Sequence, residues 1–339
     1  MPATAHHTRD AIDALPTTMR AAAIDRFGGP EVLTIHTLPV PTVTAREVLI
    51  ALDTAGVGVW DAEVRAGPAD GHTKFPLVLG SDGAGTVVAV GSGVQRLKVG
   101  DRVYAYSYGN PKGGFYAQYV AVAASHVAPL PHGVDLEHAG AVGTTGLTAL
   151  QGVDDALRLK SGDTVIVHGA AGGVGSLALQ FAKLRGARVL ATATRDDGLA
   201  FVSRLGADAT VDGQHGDIIA AARQFAPDGV DALLAFAGGA ALQKCLDAVR
   251  SGGRAAYPNG VEPAPARRHG INIIPYDAVA NVRHFESLNR ALGAGSVRIE
   301  IAAAFPLAEA AAAHRRLAQG HVPGKIVLRS GLARADDRQ

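Results

Sequence analysis

The stretch VIVHGAAGGVGSLALQFAKLRGARVLATATR, residues 165–195, decides the fold. It begins with an apolar run typical of a buried strand and continues through a glycine-rich turn. The apolar residues after the turn recur at the spacing of one helix face: Val174, Leu177, Ala178, Phe181 and Leu184. Gly186 is typical of a helix C-terminus, and RVLATAT then predicts a second strand. The stretch is therefore predicted to form a strand–loop–helix–strand unit.

Strands and helices continue to alternate beyond Arg195. The segments DIIAAARQF and AALQKCLDAV predict helices, and VDALLAFAGG, RAAYPNG and INIIPY predict strands. Such alternation indicates an α/β fold, a doubly wound parallel sheet of the Rossmann type with right-handed crossovers. After about Asn281 we expect helical segments and one last strand, KIVLR.

The residues from Met19 to about Val142 have a different texture. Short alternating runs such as EVLIALDTAGV and GAGTVVAVG are separated by proline and glycine, which predicts a β-rich domain. The first 18 residues are polar, and we expect them to form a flexible N-terminal extension.

Composition excludes several classes of function. The 339 residues are 47% apolar and 19% charged, which suits a folded chain of two domains, and the net charge is only +1. Binding to nucleic acid or to a membrane surface by bulk charge is therefore not expected. We expect a small-molecule substrate instead. The single cysteine, Cys245, excludes an internal disulfide or a cysteine metal cage and favours a reducing, cytoplasmic location.

The glycine-rich turn reads Ala170-x-Gly172-x-x-Gly175 between strand and helix. Such a loop allows a close backbone approach to a dinucleotide pyrophosphate, and Gly172, Gly173 and Val174 are the predicted contacts. A purely structural turn is the alternative. A mononucleotide loop is excluded because Ser176 stands where the phosphate-binding lysine would be required.

The end of the second strand bears on the choice of nucleotide. NAD sites place an acidic residue there to bind the ribose hydroxyls, whereas this chain has Ala193 followed by Thr194 and Arg195, which suit a 2′-phosphate. Asp196 and Asp197 are the counter-argument, although both could cap the next helix. We therefore favour NADPH over NADH.

Several stretches together resemble the medium-chain dehydrogenase/reductase superfamily: FPLVLGSDGAGTVVAVGSGVQRLKVGDRV, GGFYAQYVAV, GTTGLTAL, HGAAGGVG, LGAD and GKIVL. The resemblance implies a GroES-like catalytic domain, then a Rossmann NAD(P)-binding domain, then a return of the chain to the first domain. We place the GroES-like domain at residues 19–143 and 283–332 and the Rossmann domain at 144–282.

Zinc-dependent members of this superfamily resemble the chain at three places where it lacks their ligands. They have Cys where this chain has Gly58, His-Glu where it has Ser81 and Asp82, and usually Cys near positions 141–143. No metal site is therefore expected. The resemblance points to the zinc-independent branch, similar to the NADPH:quinone oxidoreductases of the ζ-crystallin group.

The chain departs from that group at three glycines. Gly58 stands where an asparagine is frequent, and Gly198 and Gly213 stand where Lys and Tyr contact the 2′-phosphate in relatives. Arg195 would have to supply the positive charge nearly alone, which leaves the subfamily open.

Catalytic candidates implied by the resemblance are Trp60, Asp61 and Tyr108. Each has a structural alternative: Trp60 as core, Asp61 as a helix cap, and Tyr108 as one of a packed row of tyrosines.

Cofactor contacts implied by the resemblance or by position at a strand end complete the predicted site. They are Thr145 and Thr148 beside the nicotinamide, Lys325 near the cofactor, and Tyr257 and Asn259 at the end of the predicted strand RAAYPNG. A solvated Lys325 is the alternative for that position.

Without a metal, an electron-poor acceptor suits the scaffold better than an alcohol does. We expect a homodimeric, NADPH-dependent reductase of quinones or activated alkenes. The alternatives are an enoyl or double-bond reductase with a specific acyl substrate, and a non-enzymatic NADPH-binding protein.

Overall fold

The computed structural model describes residues 15–67, 73–293 and 295–332. Its N-terminal part is dominated by short strands: β1 (Thr18–Ile24), β2 (Thr34–Pro39), β3 (Glu47–Val57), β4 (Leu77–Val78), β5 (Asp82–Val90), β6 (Arg102–Tyr106), β7 (Tyr119–Ala123) and β8 (Val127–Pro129). The helices of this part are α1 (Val59–Ala66), α2 (Leu136–Ala139) and α3 (Gly143–Gln151). Short 3₁₀ turns cover Pro30–Val32, Ala124–His126 and Leu307–Glu309, and a π-helical turn, Gly152–Ala156, extends α3.

The second part alternates between strand and helix. Its strands are β9 (Thr164–His168), β10 (Arg188–Ala193), β11 (Ala209–Asp212), β12 (Val230–Ala235), β13 (Val249–Pro258) and β14 (Asn272–Tyr276). Its helices are α4 (Gly173–Leu184), α5 (Arg195–Arg204), α6 (Ile218–Phe225), α7 (Ala240–Asp247) and α8 (Val282–Gly293). The chain ends with β15 (Ile301–Pro306), α9 (Ala310–Ala318) and β16 (Lys325–Arg329).

All six strands from β9 to β14 form one parallel sheet, in the order β11-β10-β9-β12-β13-β14. The order reverses beside β9, and ligands of open α/β sheets bind at the carboxyl ends of the strands at such a point. The glycine-rich loop follows β9 directly, so the fold places it there. The predicted doubly wound parallel sheet is confirmed.

A second sheet, of seven strands, is mainly antiparallel and runs β15-β16-β3-β5-β6-β8, with β7 also on β3. The last strand, β16, pairs with β3, so the chain returns to the β-rich part as expected. A smaller sheet, β2-β1-β4, completes that part. The β-rich GroES-like partner of the parallel sheet is thereby confirmed, whereas the domain boundaries remain a prediction.

The return of the chain contains a strand that the sequence did not predict. Residues 301–306 read IAAAFP, and alanine favours helix over strand when no packing is considered. In the structure this segment is β15, parallel to β16. Ladder hydrogen bonds to β16, which begins 24 residues after β15 does, override the helix preference of the alanines.

The predicted extension, residues 1–18, lies mostly outside the described residues. Of its last residues, Thr18 begins β1, and the Thr17 carbonyl accepts a hydrogen bond from the Val40 amide. Within the described ranges, no helix is long and apolar enough to span a bilayer.

Candidate active site

The glycine-rich loop between β9 and α4 forms the floor of a cleft. A Cβ on Gly175 would lie 2.2 Å from the Gly169 carbonyl oxygen, so only glycine fits there. A Cβ on Gly172, in contrast, would meet only that oxygen, at 3.5 Å, which leaves its outer face open. Gly172 and Gly173 stand at the start of α4, a helix of 12 residues whose first backbone N–H groups have no partner in the helix. The loop therefore offers a site for a phosphate group.

A segment from the end of the chain crosses this loop. The Gly324 amide donates to the Ala171 carbonyl at 2.9 Å, and Gly324 forms a parallel bridge with Gly172. Cavities of about 260 and 570 Å³ lie on either side of the crossing. Both are lined by the same five residues, Gly169, Gly172, Phe236, His321 and Val322. We refer to the two neighbouring cavities together as the cleft; its lining extends from Trp60 and Lys325 at one end to Thr194 and Gly213 at the other.

The larger cavity lies at the end of β10, where the sequence predicts the adenosine ribose. Thr194, Gly213 and His321 line it. The His321 Nε2 atom is 2.8 Å from Asp197 Oδ2, and a Cβ on Gly198 would lie 3.5 Å from His321 Cε1. His321 therefore stands where relatives are expected to have longer side chains on α5.

Arg195 begins α5 with a positive φ of 62°, in a region that L-residues other than glycine seldom adopt. Its side chain is exposed. The carboxylate of Asp212, at the end of β11, accepts two backbone hydrogen bonds. The Gln214 and His215 N–H groups both donate to its Oδ1. These bonds lower the pKa of Asp212.

The smaller cavity ends at Trp60 and Lys325. The indole N–H of Trp60 donates to Ser81 Oγ at 2.6 Å, and Ser81 Oγ is 3.3 Å from Thr144 Oγ1. The Lys325 Nζ atom lies 4.3 Å from the centroid of the Trp60 ring. Lys325 is only 5% exposed, and its ammonium has no hydrogen-bond partner within residues 15–67, 73–293 and 295–332. An ammonium held in this way beside the glycine-rich loop is suited to an anionic group.

Asp82 is buried beside Lys325. Its Oδ2 accepts from the Thr144 amide at 2.8 Å, and its Oδ1 has no partner in the described part of the chain. A Cβ on Gly56 would be 2.6 Å from Asp82 Oδ1 and 3.0 Å from Lys325 Cε, so the two side chains approach each other over a glycine. Burial raises the pKa of Asp82, and the charge of Lys325 opposes that rise.

A third cavity, of about 150 Å³, adjoins these residues and is lined in part by Asp61, Ser81 and Tyr108. Asp61 is 3% exposed, and its Oδ2 accepts from the Gly58 amide at 2.8 Å and from the Tyr116 hydroxyl at 3.1 Å. Burial raises the pKa of Asp61 to about 7, although the Lys325 charge acts in the opposite direction. Asp61 thus caps α1 and also faces a cavity.

The structure brings most of the predicted site residues to the cleft and its adjoining cavity. The residues that line one of the three cavities are Trp60, Asp61, Tyr108, Thr145, Gly172, Gly173, Val174, Thr194 and Lys325. Arg195 follows Thr194 in the chain, but its exposed side chain lines none of these cavities. Tyr108 lies beyond the end of β6 and is 59% exposed, so it does not belong to a packed row.

Three predicted cofactor contacts, Thr148, Tyr257 and Asn259, do not line the cleft. The Thr148 hydroxyl donates to the Thr144 carbonyl within α3, and Asn259 Nδ2 donates to Asp277. Tyr257 is half-buried among the residues packed on α6 and α7. Sequence reasoning also missed Phe236 and His321, because neither belongs to a motif with recognisable spacing.

Zinc ligands are missing from the three positions considered above. Gly58 is covered by the Trp60 ring, Ser81 is bonded to that ring, and residues 141–143 are Ala-Val-Gly. Among the residues that the structure describes, no three His, Cys, Asp or Glu side chains converge as a metal site would require.

Comparison with known proteins gives the chain a family. Residues 44–132 match the alcohol dehydrogenase GroES-like domain, and residues 205–328 match a domain described as zinc-binding dehydrogenase. The quinone oxidoreductase of Pseudomonas aeruginosa is 33% identical over 321 residues, which are 89% of this chain and 97% of that protein.

Solved structures share the fold. An NAD-dependent alcohol dehydrogenase is 34% identical with a TM-score of 0.85, over 92% of this chain and 100% of its own. A mycobacterial structure complexed with NADPH is 28% identical with a TM-score of 0.80, over 92% and 99%. The two relatives differ in their nicotinamide cofactor, so the choice between NADPH and NADH depends on this chain's own residues.

Proposed function

The chain belongs to the quinone oxidoreductase group of the medium-chain dehydrogenases/reductases, and on that premise we propose that it is a zinc-independent, NADPH-dependent reductase of quinones or other electron-poor alkenes and carbonyls. One observation carries the proposal. Zinc-dependent relatives are expected to have metal ligands at the positions of Gly58 and Ser81. In this chain the Trp60 ring lies over Gly58 and donates a hydrogen bond to Ser81.

This arrangement disfavours alcohol oxidation. An alcohol needs a Lewis acid to stabilise its alkoxide, and the side chains present here supply hydrogen-bond donors and one ammonium instead. A quinone or an activated alkene needs no such metal. Its reduction requires an oriented hydride donor, stabilisation of negative charge on oxygen, and one proton.

The residues present fit a nicotinamide dinucleotide. The open glycine face at Gly172 and the N-terminus of α4 would hold the pyrophosphate, and Lys325 would complement its charge. Thr145 lines the smaller cavity of the cleft, where it would contact the nicotinamide. When bound, NADPH supplies the hydride.

The preference for NADPH rests on the larger cavity. Among the residues that the structure describes, no acidic side chain lines it, and Asp197 is held by His321. Because His321 engages the carboxylate, Asp197 is less available to bind ribose hydroxyls. Thr194, Arg195 and His321 are then the groups that would meet a 2′-phosphate.

At the acceptor end, the chain offers a proton. Asp61 has a pKa of about 7, so it holds a proton at Oδ1 in much of the population near neutral pH and can donate it in the adjoining cavity. Tyr108 would border the acceptor there, and Trp60 would border it from the smaller cavity of the cleft.

The test is cofactor oxidation by the purified protein with a panel of acceptors: 1,4-benzoquinone, a 2-alkenal and an enoyl thioester. We expect turnover with the quinone to be fastest. Turnover confined to the enoyl thioester would identify a specific double-bond reductase instead. Cofactor binding without turnover on any acceptor would contradict both enzymatic assignments and favour a non-enzymatic NADPH-binding protein.

The family resemblance also supports two further proposals, that the protein is a homodimer and that it is cytoplasmic. Light scattering on the purified protein tests the first: a homodimer has the mass of two chains, and the mass of one chain would contradict the proposal. Fractionation of its host cells tests the second.

A further inference from the structure

A line of buried polar side chains leads away from Asp61 to the far side of α1. Tyr116 Oη is 3.1 Å from Asp61 Oδ2 and 3.1 Å from His314 Nε2, and His314 Nδ1 is 2.8 Å from a guanidinium nitrogen of Arg65. Arg65 Nε donates to the Gly28 carbonyl at 3.0 Å. Tyr116 is fully buried and His314 is 1% exposed. Polar groups buried this deeply form a connected hydrogen-bond network, which is costly unless every member is satisfied.

The chemistry of Arg65 sets the direction of every bond in the line. A guanidinium can only donate, so His314 must accept at Nδ1 and carry its proton on Nε2. His314 then donates to the Tyr116 oxygen, and Tyr116 donates to Asp61 Oδ2. Burial, followed by the Arg65 charge, lowers the pKa of His314 to about 4, in agreement with a neutral ring.

The two hydrogen bonds to Asp61, from Tyr116 and from the Gly58 amide, both end on Oδ2. Oδ2 thus has two donors directed at it, and a proton on the neutral acid belongs on Oδ1. Asp61 also lines the cavity with Ser81 and Tyr108. The network therefore distinguishes the two carboxyl oxygens, one as an acceptor and the other as the carrier of a transferable proton.

We propose that Tyr116 and His314 are positioning residues that hold the Asp61 carboxyl as a proton donor with its acidic proton on Oδ1. This inference rests on the proposed function. After hydride reaches the acceptor, the Oδ1–H bond breaks and the proton passes to the anionic acceptor oxygen or carbon. The carboxylate that remains is stabilised by Tyr116 and Gly58 until solvent in the cavity reprotonates it.

Other charged and titratable groups also act on Asp61, and they do not duplicate this role. The groups that face it from neighbouring elements are Lys325 on β16, Asp82 on β5, Tyr106 at the end of β6, and Tyr108 after that strand. His314 and Arg65 lie beyond Tyr116. Of these groups and Tyr116, only Tyr116 has a hydrogen bond to the Asp61 carboxyl among the described contacts. Removing its hydroxyl is therefore a selective change.

The experiment compares Tyr116→Phe with Tyr104→Phe as the matched control. Tyr104 is also a fully buried tyrosine with one hydrogen bond from its hydroxyl, to Asn289 at 2.7 Å, and it lines none of the three cavities. The pH profile of kcat for NADPH and 1,4-benzoquinone should fall as Asp61 ionises, with a midpoint near 7. Loss of a hydrogen bond to the carboxylate should raise that midpoint by about one pH unit in Tyr116→Phe. Tyr104→Phe should leave it unchanged.

His314 provides a second pair of variants. His314→Gln keeps an N–H donor toward Tyr116, whereas His314→Leu removes it. The midpoint should therefore stay close to the wild-type value in His314→Gln and rise in His314→Leu. Equal midpoints in Tyr116→Phe and Tyr104→Phe would overturn the proposal, even if His314→Leu fails to fold.

A readout without turnover separates this inference from the proposed function. Infrared difference spectra across a pH titration report the protonated carboxyl of Asp61, assigned by its loss in Asp61→Asn. If no acceptor is reduced but the Asp61 midpoint still rises in Tyr116→Phe, the network is supported and the proposed function has failed. If the quinone is reduced and the infrared midpoint does not respond to Tyr116, the network is refuted and the function stands.

Discussion

The indole ring of Trp60 lies so close to Gly58 that a Cβ on Gly58 would be 2.2 Å from both Cε2 and Cζ2 of the ring. The backbone at Gly58 has a φ of −124°, which any residue adopts, so space alone requires glycine. The small residue and the large ring therefore form one feature of the site. The ring in turn donates to Ser81 and lies under the Lys325 ammonium.

Gly58→Asn introduces the residue that the family resemblance implies at this position. We expect it to displace the Trp60 ring, to lower kcat/KM, and to cost about 1–3 kcal/mol of stability through overpacking. The double variant with Trp60→Ala should regain part of that stability. Urea unfolding of the four proteins of this cycle measures the coupling, and additive effects would contradict the packing argument.

Lys325→Met removes the buried ammonium beside the glycine-rich loop while keeping a similar length of apolar chain. We expect the Kd for NADPH to rise about ten- to a hundredfold, because a charge-assisted contact to phosphate is lost. Fluorescence titration of the cofactor measures this. Lys244→Met, an exposed lysine on α7, is the control, and equal affinities in the two variants would refute the assigned contact.

Arg195→Asp tests the choice of cofactor. Reversing this charge at the start of α5 should repel a 2′-phosphate. The ratio of kcat/KM for NADPH to kcat/KM for NADH should therefore fall by about tenfold or more. Arg223→Asp, an exposed arginine on α6, reports the effect of net charge alone. An unchanged ratio in Arg195→Asp would place the 2′-phosphate elsewhere.

Asp61 should also leave a signature in the pH dependence of stability. Its pKa rises from 3.8 to about 7 on folding, so the folded state holds the proton more tightly than the unfolded chain does. Stability from this group is complete below the unfolded value and is lost as the pH rises through about 7. Asp61→Asn does not ionise, so its stability relative to wild type should increase by up to about 4 kcal/mol between pH 4 and 7. Urea unfolding across that range measures the difference, and a constant difference would contradict the raised pKa.

Local patterns were sufficient for five of the six strands of the parallel sheet, because the strand at residues 165–168, the glycine-rich turn and the apolar helix face each act over a few neighbouring residues. They gave no signal for the short strand β11. They failed at residues 301–306, where three alanines gave no strand signal and pairing with β16 decided the outcome. The return of the chain to the β-rich domain was accessible only through the family resemblance.

The same distinction between local and long-range signals applies to the candidate site. The glycine-rich loop could be located by its spacing, whereas the Trp60–Ser81 bond joins residues 21 positions apart and the Tyr116–His314 bond joins residues 198 apart. No local signal identifies such partners. Burial of Lys325 was equally inaccessible, because its environment depends on the return of β16 to β3.

The most direct test of the central claim is NADPH oxidation with 1,4-benzoquinone by protein freed of metal with a chelator. A zinc-independent reductase built on the Trp60, Lys325 and Asp61 arrangement should keep its full turnover after chelation and should gain nothing from added zinc. NADPH bound but oxidised only when zinc is restored would contradict the account.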